Sequence, residues 1–110
     1  MMPGVVAGFT RPVVVVAPSA PVNFAFVSGG RDPLPYNVFS WQAPLTGSPP
    51  TGYRVYMKTG TGSYVLQAQT TNTSVRVDGV SGGVTQYFYV TAWNSAGESP
   101  ASNVLELLPY

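Results

Sequence analysis

The run QYFYVTAWNSAGESP occupies residues 86–100, and its pattern is that of a strand entering a tight polar turn. Phe88, Val90 and Ala92 fall on one face. Tyr87, Tyr89, Thr91 and Trp93 fall on the other, because successive side chains of a strand point to opposite sides. Asn94-Ser95-Ala96-Gly97 then supplies turn-forming residues. Such a strand belongs in the middle of a sheet, with its 88/90/92 row in a core and its ring-bearing row outward.

Working outward from it, the chain reads as a series of short strands. In Pro21 to Ser28, Val22, Phe24 and Phe26 alternate with Asn23, Ala25 and Val27. Gly29 to Pro35 reads as a loop. Asn37 to Gln42 is a second strand with Phe39 and Trp41 inward, and Ala43 to Thr51 is a proline-rich turn. In Gly52 to Lys58, Tyr53, Val55 and Met57 alternate with Arg54, Tyr56 and Lys58. Thr59 to Gly62 is a hairpin-like turn. Tyr64 to Thr70 and Val75 to Val77 are the fourth and fifth strands, with a loop at Val80 to Gly83. The opening run is the sixth strand and Asn103 to Leu108 the seventh. Turn signals recur about every 8–12 residues, and no helical period or internal repeat intervenes. The fold class this predicts is all-β: a seven-stranded Greek-key β-sandwich of immunoglobulin-like type.

Composition agrees. A chain of 110 residues suits one domain. Twelve glycines and eleven prolines provide turns, and 13% aromatic residues favour strands. The formal charge of +1 gives no electrostatic reason for nucleic acid or an anionic membrane as partner. With no cysteine there is no disulfide framework and no thiolate metal site. The longest apolar run, Val13 to Ala17, falls well short of the ~18–20 residues of a membrane-spanning helix.

Residues 1–20 differ from the rest and divide from a domain at 21–110. They carry one charge, Arg11, and two valine clusters split by glycine and proline. They make a poor signal peptide, with no basic start, Arg11-Pro12 in the middle and no small-x-small cleavage site. Val13, Val14, Val15 and Val16 are strongly β-prone, and Pro12 and Pro18 stop that run from growing. A frayed leader leaves four adjacent valines unexplained. The reading preferred is an extended apolar arm that adds a strand to a sheet edge, its own or a neighbour's.

Four segments carry a family resemblance: FSWQAP at 39–44, GYRVYMK at 52–58, VRVDGV at 75–80 and YVTAWNSAGESPASN at 89–103. In these the chain resembles a fibronectin type III domain from about Pro21 to Leu108. The resemblance implies an inter-sheet core of Trp41, Tyr53, Val55, Val80, Phe88, Val90 and Ala92. It also implies strands A, B and E packed on C, C′, F and G. One departure stands out. The family's tyrosine two residues before the Phe-x-Val-x-Ala run is replaced by Gln86, whose amide is expected to make a backbone bond without the same packing. The preceding Pro-Gly is Gly82-Gly83. A softer corner and a slightly long A–B connection follow.

Catalysis is not expected. There is no histidine or cysteine, and the four carboxylates, Asp32, Asp78, Glu98 and Glu106, stand in four separate segments. Acid–base work needs two such groups converging on a substrate. No serine has a base partner, no glycine run sits in a phosphate loop, and no metal or cofactor site is read. Gly30-Arg31-Asp32 scrambles the integrin-binding tripeptide and lies outside the F–G loop. The sequon at Asn72-Thr73-Ser74 is read as a chance turn in a chain with no signal peptide.

One surface has functional content. Tyr56, Tyr87, Tyr89 and Trp93 point out of the C–F–G sheet beside Arg54 and Lys58. These side chains can be ordinary cross-strand pairs or a contact surface, since Tyr, Trp and Arg are enriched where interfaces concentrate their energy. The functional expectation is a non-catalytic structural and interaction protein, docking through its arm and this face into a larger assembly. The partners are then proteins, possible copies of itself among them. The assembly that suits a small module with an apolar arm is a virion, with the chain as a phage capsid decoration or tail protein. A carbohydrate- or host-surface-binding module on a surface glycan is one alternative. A spacer domain of a secreted bacterial enzyme is another, against which the Met1-Met2 start speaks. The expected location is a virion or extracellular surface.

Overall fold

The computed structural model describes residues 14–31, 35–78 and 83–108. Its strands are β1 (Val22–Gly30), β2 (Tyr36–Gln42), β3 (Gly52–Thr59), β4 (Val65–Thr70), β5 (Ser74–Asp78), β6 (Gln86–Asn94), β7 (Gly97–Glu98) and β8 (Leu105–Leu107). One sheet has the order β1-β2-β5. The other has the order β4-β3-β6-β7, with β8 also on β6. All pairings are antiparallel. The two sheets face each other across one core, which is the sandwich the alternation predicts.

Aromatic rings fill that core. Phe39 on β2 meets Phe88 on β6 with centroids 4.7 Å apart, and Phe24 lies 5.2 Å from Phe39. Trp41 meets Tyr53 edge-on at 5.4 Å. Val55, Val77, Val90 and Ala92 complete the buried set. The 88/90/92 row is fully inward, so the phase read from the opening run is correct. Of the expected core residues, Val80 lies outside the described residues. Phe24 and Val77 join the core without being among those the resemblance implies.

Three expectations need correction. The first concerns β1, where Phe24 is buried but Phe26 is 45% exposed. The β1–β2 register skips between Val22 and Ala25 and again between Phe26 and Ser28. Each bulge adds an unmatched residue, so the strict period of two is lost. Asn23 stands at the first bulge with φ 57° and donates from its side-chain amide to Gln42. Gly29 and Gly30, read as loop, still pair with Asn37 and Tyr36.

The second concerns the last strand, which is broken. Between β7 and β8 two serines replace the ladder. Ser99 N–H donates to Ala92 O while Ala92 N–H donates to Ser99 Oγ, at 2.7 and 2.9 Å. Ser102 repeats the pattern on Val90, at 2.9 Å both ways. Pro100 between them has no N–H to offer. The third concerns Gln86, which is buried but reaches side chains rather than backbone. Its Nε2 donates to Met57 Sδ at 3.4 Å and Thr59 Oγ1 at 3.5 Å, because it faces the end of β3 from directly opposite Thr59.

The left-handed residue of the first bulge gives a stability test. Asn tolerates that backbone region and Ala does not, at a cost of ~1–2 kcal/mol. Asn23→Ala should lower the urea-unfolding free energy by about that amount, and Asn23→Gly by only a few tenths of a kcal/mol. Equal losses for both would place the cost in the lost amide bond to Gln42 instead.

Candidate docking face

Pairing of β3 with β6 sets Arg54 opposite Thr91, Tyr56 opposite Tyr89 and Lys58 opposite Tyr87. With 53, 55, 88, 90 and 92 committed to the core, these residues are driven to the outer face. They form one continuous array there. Tyr56 stacks on Tyr89 at 5.1 Å, and Tyr64 leans on Tyr89 at 4.6 Å. Lys58 Nζ lies over the rings of Tyr64 and Tyr87, at 5.3 and 4.7 Å, and the Arg54 guanidinium lies 4.9 Å from the centre of Trp93. Such cation–ring contacts are worth roughly 0.5–1 kcal/mol when exposed.

One carboxylate organises the upper half. The short strand β7 pairs Glu98 with Trp93 and so delivers Glu98 to the outer face. Tyr56 Oη donates to Glu98 Oε2 at 2.6 Å, Thr91 Oγ1 donates to the same oxygen, and Arg54 bridges to Oε1 at 3.3 Å. Arg54 also donates to Gln69 on β4 at 3.2 Å. Burial pushes the Glu98 carboxyl up, but the two hydroxyls and the guanidinium outweigh it and hold it below the ordinary carboxylate range. Tyr56 moves the other way. Burial, then its bond to Glu98 and the charge there, raise its phenol above the usual value. Burial raises Tyr64 and Tyr89 as well.

All the residues predicted for this face lie on it. Three that belong with them were missed. Tyr64, read as the first residue of the fourth strand, lies just before β4, Glu98 sits in what reads as loop, and Thr91 looks like an ordinary strand residue. The useful signal was Gly97, which permits a hairpin that folds residue 98 back beside 93.

The arm residues lie elsewhere. Val13 is outside the described residues. Val14, Val15 and Val16 are 75%, 45% and 48% exposed and form no strand. The backbone from 16 to 19 is nonetheless fastened to the β2–β3 loop. Val16 N–H donates to Ser48 Oγ at 3.0 Å, and Ser19 and Thr46 exchange hydrogen bonds at 3.0 and 3.1 Å. Asn94, buried at the end of β6, donates to Val16 O at 2.8 Å and accepts from Ala96 N–H at 2.8 Å. Gly47 allows this closeness. Its φ is +86°, and a Cβ there would fall 2.5 Å from Ala17 O.

Among the described residues no three His, Cys, Asp or Glu side chains gather as a metal site would require. No helix there is long and apolar enough to cross a membrane.

The family model for the fibronectin type III domain matches residues 19–107. The chain belongs to the fibronectin type III family. As such a module it is a non-catalytic interaction domain. Among solved structures it is similar to domains A168 to A170 of titin, at 25% identity and TM-score 0.73, over 84% of this chain and 33% of that one. The kinase region of twitchin from C. elegans shares 20% identity at TM-score 0.73, over 84% and 17%. The fibronectin type III domain of the human fibronectin type III domain containing protein 3 shares 19% at TM-score 0.69, over 92% of each chain. This chain thus spans about a third or less of the first two and nearly all of the third. No curated protein sequence is similar enough to match.

The Glu98 network predicts a coupled titration. Glu98→Gln should bring the Tyr56 phenol back toward the ordinary value, read as tyrosinate absorbance on titration with base. It should also flatten the acid side of the stability curve. A carboxyl held low in the folded state stabilises above its unfolded-state pKa, and that contribution goes as pH falls through the folded value. An unchanged alkaline titration in the variant would mean that Glu98 does not hold Tyr56.

Proposed function

We propose that this fibronectin type III module docks onto a protein surface through the outer face of its β4-β3-β6 sheet, with the arm as a second contact. One observation carries the reading. The rings of Tyr56, Tyr64, Tyr87, Tyr89 and Trp93 are already packed against one another, or under Arg54 and Lys58, before any partner is present. Pre-ordered rings lose little conformational freedom on binding, so more of the contact energy survives as affinity. Tyr, Trp and Arg are also the residues on which interface energy concentrates. The Glu98 bridge leaves Arg54 anchored rather than floppy, which works in the same direction.

The finer reading is that the assembly is a virion surface, with the chain as a capsid decoration or tail component and a virion or extracellular location. What supports it is the pairing of one small module with an apolar, backbone-anchored arm, which suits a repeated lattice contact. That is an argument from architecture.

The experiment is incorporation into the native particle that carries the protein. Tyr89→Ala and Tyr64→Ala should each weaken incorporation by roughly 30-fold, the scale of a hot-spot residue, with the unfolding midpoint little changed. Deletion of residues 1–15, which spares the Val16 anchor, should weaken it further. Full incorporation of the tyrosine variants would remove the face from the reading. Loss of binding to a polysaccharide array in those variants, with incorporation intact, would assign the rings to a glycan instead.

A further inference from the structure

We propose that the cleft at the β1–β2 end of the sandwich binds a small carboxylate with an apolar body, held by Asn37, Arg31 and Phe26. The cleft measures about 480 Å³ and is lined by Phe26, Gly29, Gly30, Arg31 and Asn37. That size lies within the ~300–1,000 Å³ of pockets that hold a ligand. Asn37 is the residue that calls for one. The inward row of β2 runs Asn37, Phe39, Trp41, so an amide stands where the core pattern asks for an apolar side chain. It is 4% exposed. Among the described residues nothing hydrogen-bonds its side chain, although it lines the cleft. Buried amides nearly always have a partner, and one without a partner costs stability. The partner this one lacks within the chain has an open route from outside it.

Gly29 makes the space. It pairs with Asn37 across the ladder, and a Cβ on it would fall 2.9 Å from Asn37 Oδ1 and 3.2 Å from the tip of the Phe26 ring. Amide and ring thus converge on the volume that a side chain would fill. The bulges of β1 turn Phe26 partly to solvent, and its ring, packed edge-on against Phe39 at 6.3 Å, becomes the apolar wall. Charge then selects the ligand. Arg31 brings a guanidinium to the lining, and no acidic side chain is among the described lining residues. A carboxylate accepts from Asn37 Nδ2 and from the guanidinium together. Arg31 has a contact of its own, but five N–H donors leave room for a second. The body of the ligand lies over Gly29 against Phe26. An amine would be repelled there, and a neutral amide would use Asn37 but gain little from Arg31. The cleft belongs to the β1-β2-β5 sheet, so this inference is independent of the aromatic face on the other one.

Titration of the full chain with phenylacetate, followed by NMR at the Asn37 side-chain amide, tests it. The amide signals should shift saturably with a Kd on the order of 1 mM, the affinity that about ten heavy atoms supply. Phenylacetamide, the neutral counterpart, should bind roughly 10-fold more weakly. Arg31→Gln should bring phenylacetate down to that level and leave phenylacetamide unchanged. Asn37→Leu, which keeps the heavy-atom count, should weaken both probes by roughly 10-fold. Its unfolding midpoint should stay level or rise, because the side chain it removes is buried and unbonded. N-acetylphenylalanine separates two sources of the same chemistry: tighter binding than phenylacetate assigns the cleft to the carboxyl end of a peptide, weaker binding to a free acid. No saturable shift at Asn37 would mean that the cleft holds water only, and overturns the proposal. Equal affinity for phenylacetate and phenylacetamide overturns it too, as does an Asn37→Leu variant that melts early and still binds. If Asn37→Leu does not fold, Arg31→Gln, altered at an exposed position, decides the matter alone.

Discussion

The contact between Phe39 and Phe88 is the constraint on which the molecule depends. These two rings are wholly buried, come from different sheets and meet at 4.7 Å. Strand side chains alternate, so placing Phe88 inward also places Val90 and Ala92 inward and Tyr87, Tyr89 and Trp93 outward. Placing Phe39 inward does the same for Trp41. A slip of one residue on β6 would bury the phenol row and expose its core row, and the same slip on β2 would expose Phe39 and Trp41. The outer face is thus a by-product of the inner one, and its composition is where the sequence had freedom to vary.

That freedom has produced a face whose charges are largely internally engaged. Arg54 is shared between Glu98, Gln69 and the Trp93 ring, and Lys58 rests over two phenol rings. Surface ion pairs of this exposure add little to stability. Their effect here is geometric: they hold long side chains flat along the sheet and keep the rings in register. A surface arranged in this way offers area and hydrogen-bonding edges more than net charge.

Much of this was legible in the chain itself. Period-two alternation identified β2, β3 and β6 and the inward row of each, because those strands are regular and central. It failed on β1, where Asn23 adopts a left-handed backbone and Phe26 is thrown outward. No pattern of apolar residues announces a bulge. It also failed past Gly97, where Ser99 and Ser102 use hydroxyls to stand in for a ladder that Pro100 interrupts. Tyr64 and Glu98 were missed from the face for the same reason: each lies beside a turn, and their position depends on hairpin geometry. Asn94 looked like a turn residue. Its side chain ties together the turn, the β2–β3 loop and the arm, a long-range role that local sequence does not encode.

That amide has a mechanical corollary. The leader is bonded at Val16 to Asn94, and Asn94 ends β6, which has β3 on one side and β7 and β8 on the other. Tension applied to the amino end therefore reaches the middle of the larger sheet as well as the edge strand that follows Pro21. The bonds at Val16 to Ser48 and Asn94 thus give a load on that end a second route into the sandwich besides β1.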